Sequence, residues 1–113
     1  MSTAYTSNTS PLAIAQWLRA RTSVVVLTHA KPDGDALGTS LALARALTHS
    51  KIKAEVWLLG PVPDWSAHFI GDTVVHKLSA DNLQLPSTQP DGVIVCDTGS
   101  WSQIDSLRSW LQP

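Results

Sequence analysis

Hydrophobic and polar positions follow two periods along this chain, and the switches between them mark its elements. From Pro11 to Ala20, Leu12, Ala15 and Leu18 recur at helical spacing. Ser10-Pro11 ahead of them is a helix start, because the hydroxyl caps free amides and proline fits the first turn. Ser23-Val-Val-Val-Leu-Thr28 is β-branched and lacks polar alternation, the pattern of a strand buried on both faces of a parallel sheet. After a loop from His29 to Gly34, Leu37, Leu41, Ala44 and Leu47 predict a helix over Asp35 to Thr48. Ala54 to Leu59 predicts a second strand, closed by Gly60-Pro-Val-Pro63, and strand, helix and strand in that order form a right-handed crossover. Asp64 to Lys77 is expected to hold a helical turn and a short strand at Thr73 to His76, and Ser79 to Gln89 to be a connection. Gly92 to Cys96 predicts another buried strand, and Ile104, Leu107, Trp110 and Leu111 predict a closing helix over Ser102 to Leu111. The block order gives an α/β fold, a three-layer, doubly wound, mainly parallel sheet.

Composition supports a packed core. The 113 residues are 43% hydrophobic and 15% charged, unlike a disordered segment, and a chain of this length buries roughly two thirds of its unfolded surface. The net charge is −1, with eight scattered Lys and Arg, so no basic stripe offers a footprint for duplex DNA. Cys96 is the only cysteine, which excludes an intrachain disulfide and a thiolate-cage zinc site and is compatible with a reducing, cytoplasmic setting. Residues 1–10 are polar, carry no basic residue before an apolar run, and read as a flexible tail rather than a secretory signal. No apolar stretch approaches the ~20 residues of a membrane-spanning helix.

The candidate chemistry sits where open parallel sheets place their ligands, beyond the carboxyl ends of strands. His29-Ala-Lys-Pro-Asp33-Gly-Asp35-Ala-Leu-Gly38-Thr39-Ser40 follows the first strand, and Asp97-Thr-Gly-Ser100 follows the last. One imidazole and three carboxylates gathered at a sheet edge would repel unless cations neutralised them, and mixed nitrogen and oxygen donors suit manganese over thiophilic metals. Gly34 is expected to turn the backbone between the aspartates, and the helix start beside it, with Gly38, Thr39 and Ser40, to offer amides and hydroxyls to phosphate oxygens. Spacing alone leaves a second reading open: an aspartate before a helix serves as an N-cap, and a glycine there as a turn, with Asp35 most exposed to that explanation.

The first segment resembles the first motif of the DHH phosphoesterases, in the NrnA-like branch of oligoribonucleases and pAp phosphatases, related more distantly to RecJ exonucleases. The strand Val93 to Cys96 with Asp97-Thr-Gly resembles that family's second motif. The resemblance implies a hydrolase with two manganese ions, magnesium being an alternative: His29 and Asp33 on one ion, Asp35 on the other, Asp97 bridging them. Implied substrates are short oligoribonucleotides, cyclic dinucleotides or 3′-phosphoadenosine phosphate. The family's third motif, Asp-His-His, does not occur in these 113 residues. Residues 11–113 are therefore expected to be the front part of a catalytic domain without the C-terminal substrate-binding domain, weak in metal binding and negligible in catalysis alone. A sheet cut there would expose edges and apolar surface, so self-association into homo-oligomers is expected.

A second function class is a non-catalytic nucleotide-binding or interaction module on the same sheet. The first turn lacks both the Gly-x-Gly-x-x-Gly spacing and the Gly-Lys-Ser/Thr of a P-loop, and its acidity would repel a bare phosphate. Lys31 reads as a solvated loop residue with a lesser prospect of touching phosphate. His49, His68 and His76 read as structural or exposed, and Cys96 as a buried small side chain. Trp17 and Trp57 read as core or helix-sheet contacts, while Trp65 and, preferentially, Trp101 are candidates to stack a base.

Overall fold

Ser10 starts the first helix as the sequence predicts: its hydroxyl accepts from the Ala13 amide at 3.1 Å, and α1 runs Pro11–Arg19. The computed structural model describes residues 6–79, 81, 83–99, 102 and 104–112. The elements that follow are β1 Ser23–Leu27, α2 Gly34–His49, β2 Lys53–Leu59, α3 Ala67–Ile70, β3 Val75–Leu78, β4 Gly92–Val95 and α4 Arg108–Leu111. Single 3-10 turns at Asp64–Ser66 and Asp105–Leu107 lead into α3 and α4.

The four strands form one sheet in the order β3-β2-β1-β4, and every pairing is parallel. Parallel neighbours cannot be joined by a tight hairpin, so each connection must cross over the sheet. Strand side chains alternate between the faces, and both faces are covered. Val24, Val26, Ala54, Val56 and Leu58 pack with Leu18 of α1 and Leu37, Leu41, Ala44 and Leu47 of α2. Val25, Leu27, Trp57 and Leu59 pack on the opposite side with Leu78, Ile104 and Leu107, where Trp110 stacks on Trp57 at 4.7 Å between ring centres. Helices on two faces of a parallel sheet make the three-layer, doubly wound α/β arrangement expected from the block order.

Two expectations need adjustment. The edge strand lies at Val75–Leu78 rather than Thr73 to His76, because its register with β2 runs from Val56↔Val75 to Leu59↔Leu78 and buries Leu78, leaving Val74 exposed. The closing helix is shorter than its apolar spacing suggests: a 3-10 turn brings Leu107 into the core, and among the described residues of this span only Arg108–Leu111 is α-helical. Trp17, 43% exposed, makes the helix-sheet contact expected of it: it lies under the Arg21 guanidinium and against Gly92 of β4, where a Cβ would stand 2.9 Å from the indole.

The winding sequence fixes where a site can form. From β1 the chain steps to β2 and then β3 on one side, and β4 returns to the other side of β1. The carboxyl ends of β1 and β4 therefore flank the point where strand order reverses, the crevice in which doubly wound sheets take ligands.

Candidate metal centre

Beyond their ladder, β1 and β4 stay locked together. The Cys96 amide donates to the Leu27 carbonyl at 2.8 Å, and the buried Thr28 hydroxyl donates to the Cys96 carbonyl at 2.9 Å. The residues after this clamp are His29 and Asp97, so tertiary pairing brings together side chains 68 positions apart, with His29 Nε2 3.2 Å from Asp97 Oδ2. Asp97 itself adopts φ 61°, a left-handed conformation that aspartate tolerates better than most residues.

Asp33 completes the group, its Oδ1 standing 3.8 Å from His29 Nε2. One donor atom from each of His29, Asp33 and Asp97 falls within 4.8 Å of the others, and this is the one such cluster among the described residues. The His29 Nδ1 lies 3.0 Å from the Ala30 carbonyl. A carbonyl only accepts, so Nδ1 carries the hydrogen; the protonated ring then donates from Nε2 to Asp97, and the neutral ring turns its Nε2 lone pair toward the same two carboxylates. Such a backbone contact holds a ligating imidazole in its productive tautomer. The same Ala30 hydrogen bond, reinforced by Asp97 and Asp33 against the opposing effect of burial, holds the His29 pKa above its ordinary value. A cation binding here competes with that proton.

The donors suit a hard or borderline dication: one nitrogen, carboxylate oxygens and no thiolate. Cys96 adjoins the group, but burial pushes its thiol pKa up, and the Asp97 charge pushes it further.

Not every predicted residue joins the cluster. Asp35 lies exposed in the first turn of α2 and is outside the three-residue group. The N-cap explanation attached most readily to Asp35 belongs instead to Asp33, whose Oδ1 accepts from the Ala36 amide at 2.9 Å. Gly34 is the first residue of α2 and is not left-handed; the sharp turn is made by Lys31, with φ 55°. Gly34, Gly38 and Thr39 are exposed on the start of α2, but Ser40 is fully buried. It shares the sheet-facing stripe of Ala36, Leu37, Leu41 and Ala44, so its hydroxyl is withdrawn from the surface that could meet a phosphate. Trp65 is 48% exposed and meets Phe69 edge-on, whereas Trp101 and Ser100 lie outside the described residues.

Sequence reading passed over Glu55, a nearly fully buried carboxylate on β2. It accepts from the Trp57 indole at 3.1 Å and from the Thr88 hydroxyl at 2.7 and 2.9 Å, with His76 at 3.4 Å. No spacing signals such a group, because its partners come from three different segments.

No family model matches the chain, and no curated protein matches it. Among solved structures, its fold is similar to that of an exopolyphosphatase-related protein from Bacteroides fragilis, with a TM-score of 0.71 and 22% identity. The alignment covers 84% of this chain and 28% of that one, so the chain spans less than a third of that protein's length. At this level of identity the shared property is the fold.

Proposed function

We propose that the chain carries part of a manganese-dependent phosphoester hydrolase centre of the DHH type, with His29, Asp33 and Asp97 as metal-binding residues and Asp35 as a further carboxylate. The convergence of His29, Asp33 and Asp97 at the strand-order switch carries this reading. The resemblance of His29 to Ser40 and of Asp97-Thr-Gly to the DHH motifs, and the likeness in fold to a protein described as exopolyphosphatase-related, support it. Bound Mn2+ would polarise a phosphoryl oxygen and make a water nucleophilic near neutral pH. The chain's own contribution is to fix the imidazole tautomer through Ala30, to gather carboxylates that neutralise a dication, and to present the start of α2, with Gly34, Gly38 and Thr39, toward phosphate oxygens. The substrates proposed are short oligoribonucleotides, cyclic dinucleotides or 3′-phosphoadenosine phosphate, as in the NrnA-like branch.

Calorimetric titration with Mn2+ tests the centre. Binding lost in Asp97→Ala is the expected result; no heat at any pH from a chain extended through an Asp-His-His segment would remove the hydrolase reading. Manganese-stimulated release of mononucleotides from a short RNA is expected to be negligible for these 113 residues and to appear when an Asp-His-His segment is supplied.

A non-catalytic nucleotide-binding module is the second reading, favoured by one observation: Asp33 already serves α2 as its N-cap. Nucleotide binding that is independent of Mn2+ and survives Asp33→Ala would select it.

A further inference from the structure

Four polar side chains are buried among the described residues: Thr28, Ser40, Glu55 and Ser66. Glu55 fastens the β3–β4 connection through Thr88, and Ser66 closes its own turn by donating to the Pro63 carbonyl at 2.6 Å. Thr28 is fully buried directly after β1, beside the candidate metal centre. Three valines and a leucine precede it, and valine has nearly the shape of threonine. Packing alone would accept a methyl group there, and a buried hydroxyl is costly unless it is hydrogen-bonded.

The bond that it makes falls on one particular peptide. The register of β1 with β4 ends at Leu27↔Val95, and one step further the Thr28 hydroxyl donates to the Cys96 carbonyl at 2.9 Å. That carbonyl belongs to the peptide group joining Cys96 to Asp97. The preceding peptide is held as well, by the Cys96 amide donating to Leu27 at 2.8 Å. Two successive peptide planes are thus pinned to β1, and the next rotation along the chain is the Asp97 φ, at 61°. A non-glycine residue holds a left-handed backbone at a cost in energy and keeps it where its surroundings impose it.

The turn decides where the Asp97 carboxylate goes. In an extended continuation of β4 its side chain would follow the alternation of the strand, whereas in the left-handed turn its Oδ2 lies 3.2 Å from His29 Nε2. The Thr28 hydroxyl is buried and its hydrogen is spent on the Cys96 carbonyl, so it acts on the centre through Asp97 and is not itself a ligand.

We infer that Thr28 is a positioning residue of the metal centre: its hydroxyl holds the Cys96–Asp97 peptide so that Asp97 turns left-handed and its carboxylate meets His29. The consequence for metal affinity rests on the hydrolase reading; the effect on the Asp97 backbone does not.

Nuclear magnetic resonance reads that backbone directly, because a left-handed residue brings its own amide and α hydrogens unusually close and gives a strong intraresidue Overhauser signal. Thr28→Val keeps the shape and removes the donor; Thr28→Ser keeps the donor and removes the methyl group. The Asp97 signal is expected to be strong in the unmodified chain and in Thr28→Ser, and weakened in Thr28→Val. Affinity for Mn2+, measured by calorimetry on the folded fraction, is expected to fall about tenfold in Thr28→Val, the scale set by groups that orient metal ligands, and to recover in Thr28→Ser. Thr28→Cys, of similar size and with a weaker donor, carries the comparison with Thr28→Ser if Thr28→Val does not fold. An Asp97 signal that ignores loss of the hydroxyl, or that Thr28→Ser fails to restore, overturns the positioning role. So does an Mn2+ affinity that stays unchanged while the signal weakens. If a chain extended through an Asp-His-His segment binds no Mn2+ at all, the hydrolase reading fails, and the Asp97 signal alone then decides the role of Thr28.

Discussion

A single carboxylate, Asp33, carries two roles at once. It caps α2 through the Ala36 amide and stands 3.8 Å from the His29 imidazole. Substitutions can separate the roles, because asparagine caps helices about as well as aspartate but carries no charge. Asp33→Asn is expected to keep thermal stability and lose Mn2+ affinity, whereas Asp33→Ala is expected to lose both, the cap being worth about 1 kcal/mol. Equal Mn2+ affinity in Asp33→Asn and the unmodified chain would leave Asp33 with its structural role only. The placement of strain was not readable at this scale. Gly34 looks like the residue that turns the first loop, yet the left-handed positions in the two loops are Lys31 and Asp97, fixed by contacts with β2 and β1 that no local spacing encodes.

Among the elements, the connection from β3 to β4 depends most on side chains. It carries no helix or strand among its described residues and is held by Leu83 on the second core and by Thr88 on Glu55. Burial alone would raise the Glu55 pKa, but hydrogen bonds from Thr88 and Trp57, with the charges of His76 and Lys53, outweigh it and hold the carboxyl below its ordinary value. A depressed folded pKa means that Glu55 contributes stability above the unfolded glutamate range, and that this contribution is lost as pH falls through the lower folded value. Glu55→Gln should therefore flatten the loss of stability on acidification, followed by denaturant unfolding at several pH values. An unaltered acid limb in the variant would show that Glu55 does not anchor the connection. The helices α1 and α2 were legible from apolar spacing and their caps; β3 and α4 were read with the wrong bounds, because an edge strand and a single turn bury too few side chains to fix their ends.

For the whole molecule, the radius of gyration of 14.3 Å slightly exceeds the ~13 Å of a compact domain of this length. Leu12, Ile14 and Trp17 of α1 are exposed, and β4 is an edge strand with Val95 36% accessible. Unpaired strand backbone beside apolar surface is a template for association. Concentration-dependent self-association by light scattering is expected, and a monomer over the full accessible concentration range would oppose it. No helix among the described residues is long and apolar enough to cross a membrane.

The order of elements, the buried character of β1 and β2, and the two polar clusters at strand ends were determined by the sequence itself, because apolar period and capping chemistry are local properties of the chain. Tertiary structure decided which members of those clusters meet. Only the return of β4 to the far side of β1 puts Asp97 against His29, and only the pitch of α2 turns Ser40 into the core and leaves Asp35 outside the His29, Asp33 and Asp97 group. Distances between side chains 68 positions apart are set by strand pairing, a property no stretch of sequence holds alone.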